Sequence, residues 1–197
     1  EPNRGQWDSK ILYKVGLVKG DFFVEKDKFT FALSDLGDVY HEAHTGGSVD
    51  RVSHHTIHSH FVNSSWQGEK IEKDSSEFYE NYFLGSDSSK WQSRIHSYKM
   101  IELLDFYPGI DLNLERSPEK IKYSFKVSPG VDPSVIQIFY EGMDGLKVDE
   151  NQSEIQTRFG SIFENDLMVW NASKVEEDTP VAAKFIENND TVSYFFP

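Results

Sequence analysis

The sequence predicts an all-β fold, a β-sandwich of two packed, mainly antiparallel sheets with little helix. Apolar and polar residues alternate over many short segments, as in strands that have one solvent-facing side. No segment longer than about ten residues has the i, i+3, i+4, i+7 apolar spacing of an amphipathic helix. Turn-forming glycine, proline and aspartate separate the alternating segments, at the spacing typical of sandwiches and barrels.

The clearest element is a β-hairpin within residues 107 to 136. Ile110, Leu112 and Leu114 alternate with polar residues, and a second alternating run covers residues 121 to 127. Between the two runs, residues 117 to 120 contain a proline, which fixes φ, lacks a ladder donor and favours a turn. This segment therefore predicts two antiparallel strands joined by a tight connection.

Proline and glycine pairs predict further turns on either side of that hairpin. Pro108-Gly109 and Pro129-Gly130 fit the two central positions of a type II turn, with positive φ on the glycine. Gly142 and Gly145 flank another tight connection, for which positive φ is again the usual reason.

The remaining elements follow from the same alternation. Strands are predicted at residues 11–17, 22–25, 29–33, 56–62, 78–84, 94–104, 135–140, 146–149, 154–158, 160–164, 166–170, 181–186 and 192–196. Two polar regions, residues 34 to 55 and 63 to 77, are predicted to be surface loops. Neither has the composition of an interdomain linker, so we expect one domain over residues 1–197.

Charge and composition restrict the partners of this chain. Its formal net charge is −13, with 33 acidic against 20 basic residues, which disfavours binding to nucleic acid or to an anionic membrane. No apolar run approaches the roughly 20 residues of a membrane span. Nucleic acid is therefore not expected as a partner, and no direct membrane span is expected.

The ends of the sequence predict a module from a longer polypeptide. The chain starts at Glu1 without a methionine, and it stops at Pro197 inside an apolar, strand-like run. We expect a processed chain or a fragment, namely the N-terminal module of a longer protein that is cut near its last strand.

Six of the seven histidines lie within twenty residues, at positions His41, His44, His54, His55, His58 and His60. In a strand, His54, His58 and His60 share one face, and His55 shares the other face with Ile57. The Cα atoms of His58 and His60 are then ~6.6 Å apart, close enough for both rings to reach one ion. Since the chain has no cysteine, histidine and carboxylate are its strong metal ligands.

This cluster leaves three interpretations open. The first is a transition-metal site, for an ion such as zinc, built on His58 and His60 with His54, His41 or His44. The second is a solvent-facing loop that is rich in histidine, and the third is a loop that responds to pH. A catalytic metal would also require an open coordination position and a general base, for which Glu42 is the one candidate.

The sequence gives little indication of other catalytic or ligand-binding sites. Carboxylate pairs are as numerous as a charge of −13 requires, and neither a Gly-x-Ser-x-Gly elbow nor a phosphate-binding glycine loop is present. Trp66, inside a predicted polar loop, is a candidate for stacking on a glycan, unless it packs beneath its own loop. The sequence therefore disfavours an enzyme.

Four motifs, taken in order, carry a resemblance to a known family. They are NRGQW at residues 3–7, NYFLGSD at 81–87 with Lys90-Trp91 after it, YPGIDL at 107–112, and KYSF at 122–125 leading into SPGVDPS at 128–134. Together they resemble the N-terminal domain of unknown function that opens many large secreted proteins of Bacteroidota. Those proteins often carry gliding-motility or type IX secretion sorting domains at their far end.

The resemblance spans nearly the whole chain and implies export and a secreted or cell-surface location. It implies no catalytic residues. Our leading hypothesis is therefore a non-enzymatic extracellular module for adhesion, assembly or presentation of other domains. Its partners would be other domains of the same polypeptide, cell-surface proteins or glycans, and the alternatives are a histidine-rich metal-binding domain and a glycan-binding module.

Overall fold

The computed structural model describes residues 1–35, 52–64, 66–117, 120–171 and 180–196. Fourteen strands are formed within these ranges. They are β1 (Ile11–Leu17), β2 (Gly20–Glu25), β3 (Lys28–Asp35), β4 (Ser53–Phe61), β5 (Lys70–Tyr82), β6 (Gln92–Tyr107), β7 (Ile110–Arg116), β8 (Ile121–Val127), β9 (Gln137–Glu141), β10 (Gly145–Val148), β11 (Ser153–Thr157), β12 (Gly160–Glu164), β13 (Lys184–Asn188) and β14 (Thr191–Phe195). Two short 3-10 helices cover Ser88–Lys90 and Pro133–Val135. The prediction of an all-β fold with little helix is confirmed.

The described strands form three sheets. The first has the order β1-β2-β3-β4-β9-β14-β13, the second β5-β6-β7-β8 and the third β10-β11-β12. Every pairing in the second and third sheets is antiparallel. The three-stranded sheet adds to the two sheets that the sequence predicts.

The chain divides into two compact units. Unit 1 comprises residues 1–17, 21–29 and 63–132, and unit 2 comprises residues 18–20, 30–62 and 133–197. The prediction of a single domain over residues 1–197 stays a prediction.

Unit 1 contains an aromatic and aliphatic core between β1, β2 and the four-stranded sheet. Its buried apolar residues are Tyr13, Phe22, Val24, Phe29, Trp66, Ile95, Ile101, Leu103, Phe106, Tyr107, Ile110, Leu112 and Leu114. The rings of Phe29 and Tyr123 meet at 5.8 Å, and those of Trp7 and Tyr82 at 5.2 Å. Facing sheets that share a core in this way are the arrangement of a β-sandwich.

Unit 2 has its own core, built from β4, β9, β11, β13 and β14. Its buried apolar residues are Ile57, Phe61, Ile136, Ile138, Tyr140, Ile155, Phe185 and Val192. Burial raises the pKa of Tyr140 well above its ordinary value, and the nearby Glu164 carboxylate adds to the effect. This phenol therefore stays protonated inside the core.

Hairpin β7–β8 confirms the sequence prediction for residues 107 to 136. Its ladder runs without a register shift from the Ile110 and Val127 pair to the Arg116 and Ile121 pair. Gly109 and Gly130 have φ values of 74° and 83°, as the two Pro-Gly turns require. Gly142 has φ 86°, as predicted, whereas Gly145 does not have positive φ.

Two predictions about secondary structure are wrong. Most of the region predicted as a loop at 63–77 belongs to β5, which begins at Lys70. This strand lies at the edge of its sheet and pairs with β6 alone, so its polar side chains meet solvent while its backbone still pairs with β6. Residues 166–170 form no strand, because only Val169 pairs there, in a single bridge to Val181.

Candidate functional site

Strand β4 separates its histidines between two faces, as predicted. His55, Ile57, Ser59 and Phe61 are buried, whereas His54 and Thr56 are exposed and His58 and His60 are half-buried. The alternation follows from the two-residue period of a strand. The candidate ligands therefore share the outer face of unit 2.

The buried histidine, His55, is held by the backbone of unit 2. Its Nε2 lies 2.6 Å from the Gly142 carbonyl oxygen, and its Nδ1 accepts a hydrogen bond from the Arg158 amide at 3.2 Å. An accepting Nδ1 and a donating Nε2 define the neutral tautomer protonated at Nε2. His55 thus serves the fold of unit 2, joining three segments of its chain.

The outer histidines contact hydroxyl groups of the neighbouring strand β3. His58 Nδ1 lies 2.9 Å from Thr30 Oγ1, and His54 Nδ1 lies 2.9 Å from Ser34 Oγ. His60 instead faces strand β9, where its Nε2 is 3.0 Å from Glu141 Oε2. The rings of His58 and His60 are 5.7 Å apart between centroids.

These positions bring two of the predicted ligands together. His58 and His60 are neighbours, and His54 lies further along the same face with its own partner. His41 and His44 lie outside the described residues. Within the described part of the chain, no group of three or more histidine or carboxylate side chains is placed so that it could hold a metal ion.

Trp66 is buried in unit 1 and exposes 6% of its surface. Its indole Nε1 donates to the Leu104 carbonyl oxygen at 2.8 Å, so the ring is anchored beneath its own loop. The ring also lines a cavity of about 290 Å³ together with Lys10, Glu25, Lys26, Asp27, Ser64 and Gln67. Ligand binding by Trp66 stays a prediction.

The largest exposed apolar side chains of unit 1 lie elsewhere, along the end of β5 and the connection to β6. We call them the aromatic edge, and they are Phe78, Tyr79, Phe83, Leu84 and Trp91. Phe78 exposes 86% of its surface, more than any of the other four. Phe78 and Phe83 are five residues apart, which is roughly 16 Å along an extended strand.

A bulge in β5 presents the first two residues of the aromatic edge. The ladder with β6 shifts register between Ser75 and Tyr79, and the extra residues of β5 have no partner there. The Phe78 amide donates to Ser76 Oγ at 3.0 Å, and the Tyr79 ring meets the His96 ring at 5.8 Å. A bulge bends a strand and redirects its side chains, and here it directs Phe78 into solvent.

The other three residues lie where β5 leaves the sheet. The Phe83 and Trp91 rings are in edge contact at 5.6 Å, and Trp91 Nε1 donates to the Gly85 carbonyl oxygen at 3.2 Å. Beneath them, the Trp7 ring contacts Tyr82 at 5.2 Å. The contact between Trp7 and Tyr82 thus holds the end of the strand, while Phe83 and Trp91 stay exposed to solvent.

Carboxylates outnumber cations in the segment that contains the aromatic edge. Residues 76 to 91 contain Glu77, Glu80 and Asp87 but a single cation, Lys90, and all four are exposed. The neighbouring Glu1 carboxyl, which takes up the proton shared by the pair, and a hydrogen bond from the Tyr82 hydroxyl lower the pKa of Glu80. Hydrogen bonds from the Ser89 hydroxyl and amide lower the pKa of Asp87. At neutral pH residues 76–91 therefore present three carboxylates and one ammonium group beside the exposed rings, and the exposed Arg94 lies on the paired strand next to Asn81.

Sequence reasoning missed this surface, although it used the same residues as a family marker. Residues 78–84 are predicted as a strand, whose alternation would place half of them in a core. The signal that could have revealed the edge is a break in alternation, with aromatics in adjacent pairs at Phe78-Tyr79 and Tyr82-Phe83. Adjacent side chains of a strand point to opposite faces of the sheet. If only one face packs on a core, one aromatic residue of each pair is therefore exposed to solvent.

The first half of β5 has a structural role instead. Glu72 accepts hydrogen bonds from the Tyr13 hydroxyl and from Arg4 Nη2, both at 2.8 Å. Although burial opposes the shift, these hydrogen bonds and the charges of Arg4 and Lys70 lower the pKa of Glu72. This network fastens the N-terminal segment of unit 1 to the edge strand.

The family model described as "Domain of unknown function (DUF7948)" matches residues 1–197. The chain belongs to the DUF7948 family. No curated protein and no solved structure matches the DUF7948 chain. Among its described residues, no helix has the length and apolar character needed to cross a membrane.

Proposed function

We propose that this DUF7948 domain is a non-catalytic, extracellular assembly module that binds a protein partner through its aromatic edge. The single observation behind the proposal is the solvent exposure of Phe78, Tyr79, Phe83, Leu84 and Trp91. Large apolar side chains that stay exposed in one short segment are typical of interaction sites, and aromatic residues supply much of the binding energy at protein interfaces.

The bulge in β5 favours recognition by side chains. An edge strand can accept a further strand through its unpaired backbone, but a bulge interrupts the straight ladder that such pairing needs. The register of β5 shifts between residues 75 and 79, next to the exposed Phe78 and Tyr79. The partner is therefore expected to cover the rings rather than extend the sheet.

The charge of the aromatic edge favours a partner that carries lysine or arginine. Glu77, Glu80 and Asp87 are exposed in the same segment as the rings, and the whole chain has a formal net charge of −13. A second copy would bring like charges together, whereas a basic partner gains attraction and stacks its cations on the rings. We therefore commit to a basic protein surface as the partner.

The location in this proposal comes from the family resemblance that the four sequence motifs carry. That resemblance implies secretion, a cell-surface position and an origin in a large Bacteroidota protein with a sorting domain. Other domains of the same polypeptide and neighbouring cell-surface proteins are the partners that such a location supplies.

Peptide display tests the proposal even while the natural partner is unidentified. Random peptides are selected on the wild-type domain and on the triple variant Phe78→Ser/Phe83→Ser/Leu84→Ser, which keeps the Trp91 hydrogen bond. We expect peptides rich in lysine, arginine and apolar residues that bind the wild type at least tenfold more tightly than the variant. The variant Val18→Ser is the control, since Val18 is 95% exposed but lies outside the aromatic edge.

A glycan array tests whether the ligand is a carbohydrate rather than a protein. It is probed with the wild type, the triple variant and Val18→Ser. Glycans that bind the wild type and not the triple variant would make the aromatic edge a carbohydrate site and contradict the proposed partner. Peptides that bind all three proteins equally, or no selected peptides at all, would also refute the proposal.

A further inference from the structure

A cavity within unit 1 is independent of the aromatic edge. It has a volume of about 290 Å³ and is lined by Trp66 and six polar or charged side chains. The lining residues lie just before β1, at the end of β2 and in its connection to β3, and in the segment before β5. Small-molecule sites begin at roughly 300 Å³, so the cavity, which we call the Trp66 cavity, has room for one small molecule.

Trp66 supplies a fixed apolar wall. Its indole Nε1 donates to the Leu104 carbonyl oxygen at 2.8 Å. Gly68 permits this arrangement, because a Cβ there would collide with the same carbonyl oxygen and come within 3.1 Å of Nε1. The residue exposes 6% of its surface, so only part of the ring faces the cavity. A wall that is held in place before binding loses little freedom when a ligand arrives.

The exposed side chains of the Trp66 cavity offer both donors and acceptors. Lys10 and Lys26 carry ammonium groups, which only donate hydrogen bonds. The Asp27 carboxylate only accepts them, and the Gln67 amide does both. Sites for apolar ligands contain few polar groups, so this composition favours a hydrophilic ligand.

The charges of the Trp66 cavity balance. Its lining contains two ammonium groups and two carboxylates, those of Glu25 and Asp27. Glu25 is buried and has an interaction of its own within the fold, so we assign it no contact with the ligand. An ion of either sign would meet like charges as well as opposite ones. A neutral molecule with many hydroxyl groups meets no such repulsion.

We propose that the Trp66 cavity binds one neutral monosaccharide unit of a glycan. Each sugar hydroxyl both donates and accepts, so it can pair with an ammonium group, a carboxylate or an amide. The C–H face of the sugar ring is apolar and packs against the indole. Asp27 and Gln67 hold the hydroxyls, and the two lysines donate to the remaining oxygens. The glycan site is thus separate from the proposed protein-binding surface.

Saturation-transfer NMR with free monosaccharides tests this site. The panel contains neutral hexoses, pentoses and N-acetylhexosamines, with hexuronic acids and free amino acids as charged counterparts. We expect at least one neutral sugar to bind the wild type, with its dissociation constant raised at least tenfold in Asp27→Ala and in Gln67→Ala. Both residues are exposed, so neither change should affect folding, and melting temperatures check this. The matched control is Glu69→Ala, exposed in the same connection as Gln67 but outside the lining, with binding expected within twofold of the wild type.

Four results would overturn the site. They are the absence of binding by any neutral sugar, equal binding by the wild type, Asp27→Ala and Gln67→Ala, an equal loss in Glu69→Ala, and tighter binding of a hexuronic acid or an amino acid than of every neutral sugar. The aromatic-edge triple variant is expected to bind the same sugar as the wild type does. The Trp66 cavity and the proposed partner surface can therefore fail separately.

Discussion

Hairpins β7–β8 and β5–β6 belong to the same four-stranded sheet, yet they use their apolar residues in opposite ways. In β7, Ile110, Leu112 and Leu114 are all buried and the ladder to β8 is unbroken. In the second half of β5, the ladder shifts register and the aromatic edge stays exposed. Regular alternation marks the part of the sheet that builds the core, and broken alternation marks the part available for recognition.

The largest expected contrast is in stability between a core leucine and an edge phenylalanine. Leu112 is fully buried, so Leu112→Ala should lower the free energy of unfolding by about 2–5 kcal/mol. Phe78→Ala, at an exposed position, should change it by less than about 0.5 kcal/mol. Urea denaturation followed by circular dichroism measures both, and similar losses would abolish the distinction between the two hairpins.

Glu72 tests whether the first half of β5 behaves as the structural part of that strand. Glu72→Gln removes the charge that Tyr13 and Arg4 bind, and should cost roughly 1–3 kcal/mol near neutral pH. The exposed Glu77→Gln is the control, with an expected change below about 0.5 kcal/mol.

The pH dependence of the same variant has a defined sign. The pKa of Glu72 is lower in the folded chain than its ordinary value of 4.5, so the unfolded state binds the proton more readily. Its contribution is complete above about pH 4.5 and is lost as the pH falls through the folded-state pKa. Between pH 7 and pH 3, the free energy of unfolding should therefore fall less for Glu72→Gln than for the wild type. An equal fall in both proteins would contradict the lowered pKa of Glu72.

The smallest contrast lies between the glycines at the ends of the two hairpins. Gly109 (φ 74°) and Gly85 (φ 70°) both have conformations that alanine adopts poorly, so each substitution should cost about 1 kcal/mol. At Gly109 a Cβ would also lie 2.8 Å from Val131 Cγ2, whereas at Gly85 no heavy atom lies within 4 Å. Thermal unfolding should show the greater loss for Gly109→Ala, and equal losses would mean that Val131 moves aside without cost.

The sequence predicts the elements whose signal is local. The β7–β8 hairpin, the Pro-Gly turns and the two faces of β4 follow from alternation and turn chemistry within about ten residues. Where that local signal was strong, the structure agrees with it.

The prediction failed where non-local pairing decides the structure. Residues 70–77 are too polar to be recognised as a strand, since a single ladder to β6 supports them at the edge of the sheet. Glu141 was missed as a neighbour of His60 because the two are 81 residues apart in sequence. The exposure of Phe78 depends likewise on the bulge, which only the pairing with β6 reveals.

One paired measurement tests the central claim, that the aromatic edge serves recognition and not folding. The triple variant Phe78→Ser/Phe83→Ser/Leu84→Ser is compared with the wild type for melting temperature and for affinity toward a peptide selected on the wild type. We predict a melting temperature within about 3 °C, since 1 kcal/mol shifts a chain of this size by roughly 2–4 °C, and at least a tenfold loss of affinity. Unchanged affinity, or a loss of affinity accompanied by a large fall in melting temperature, would contradict the account.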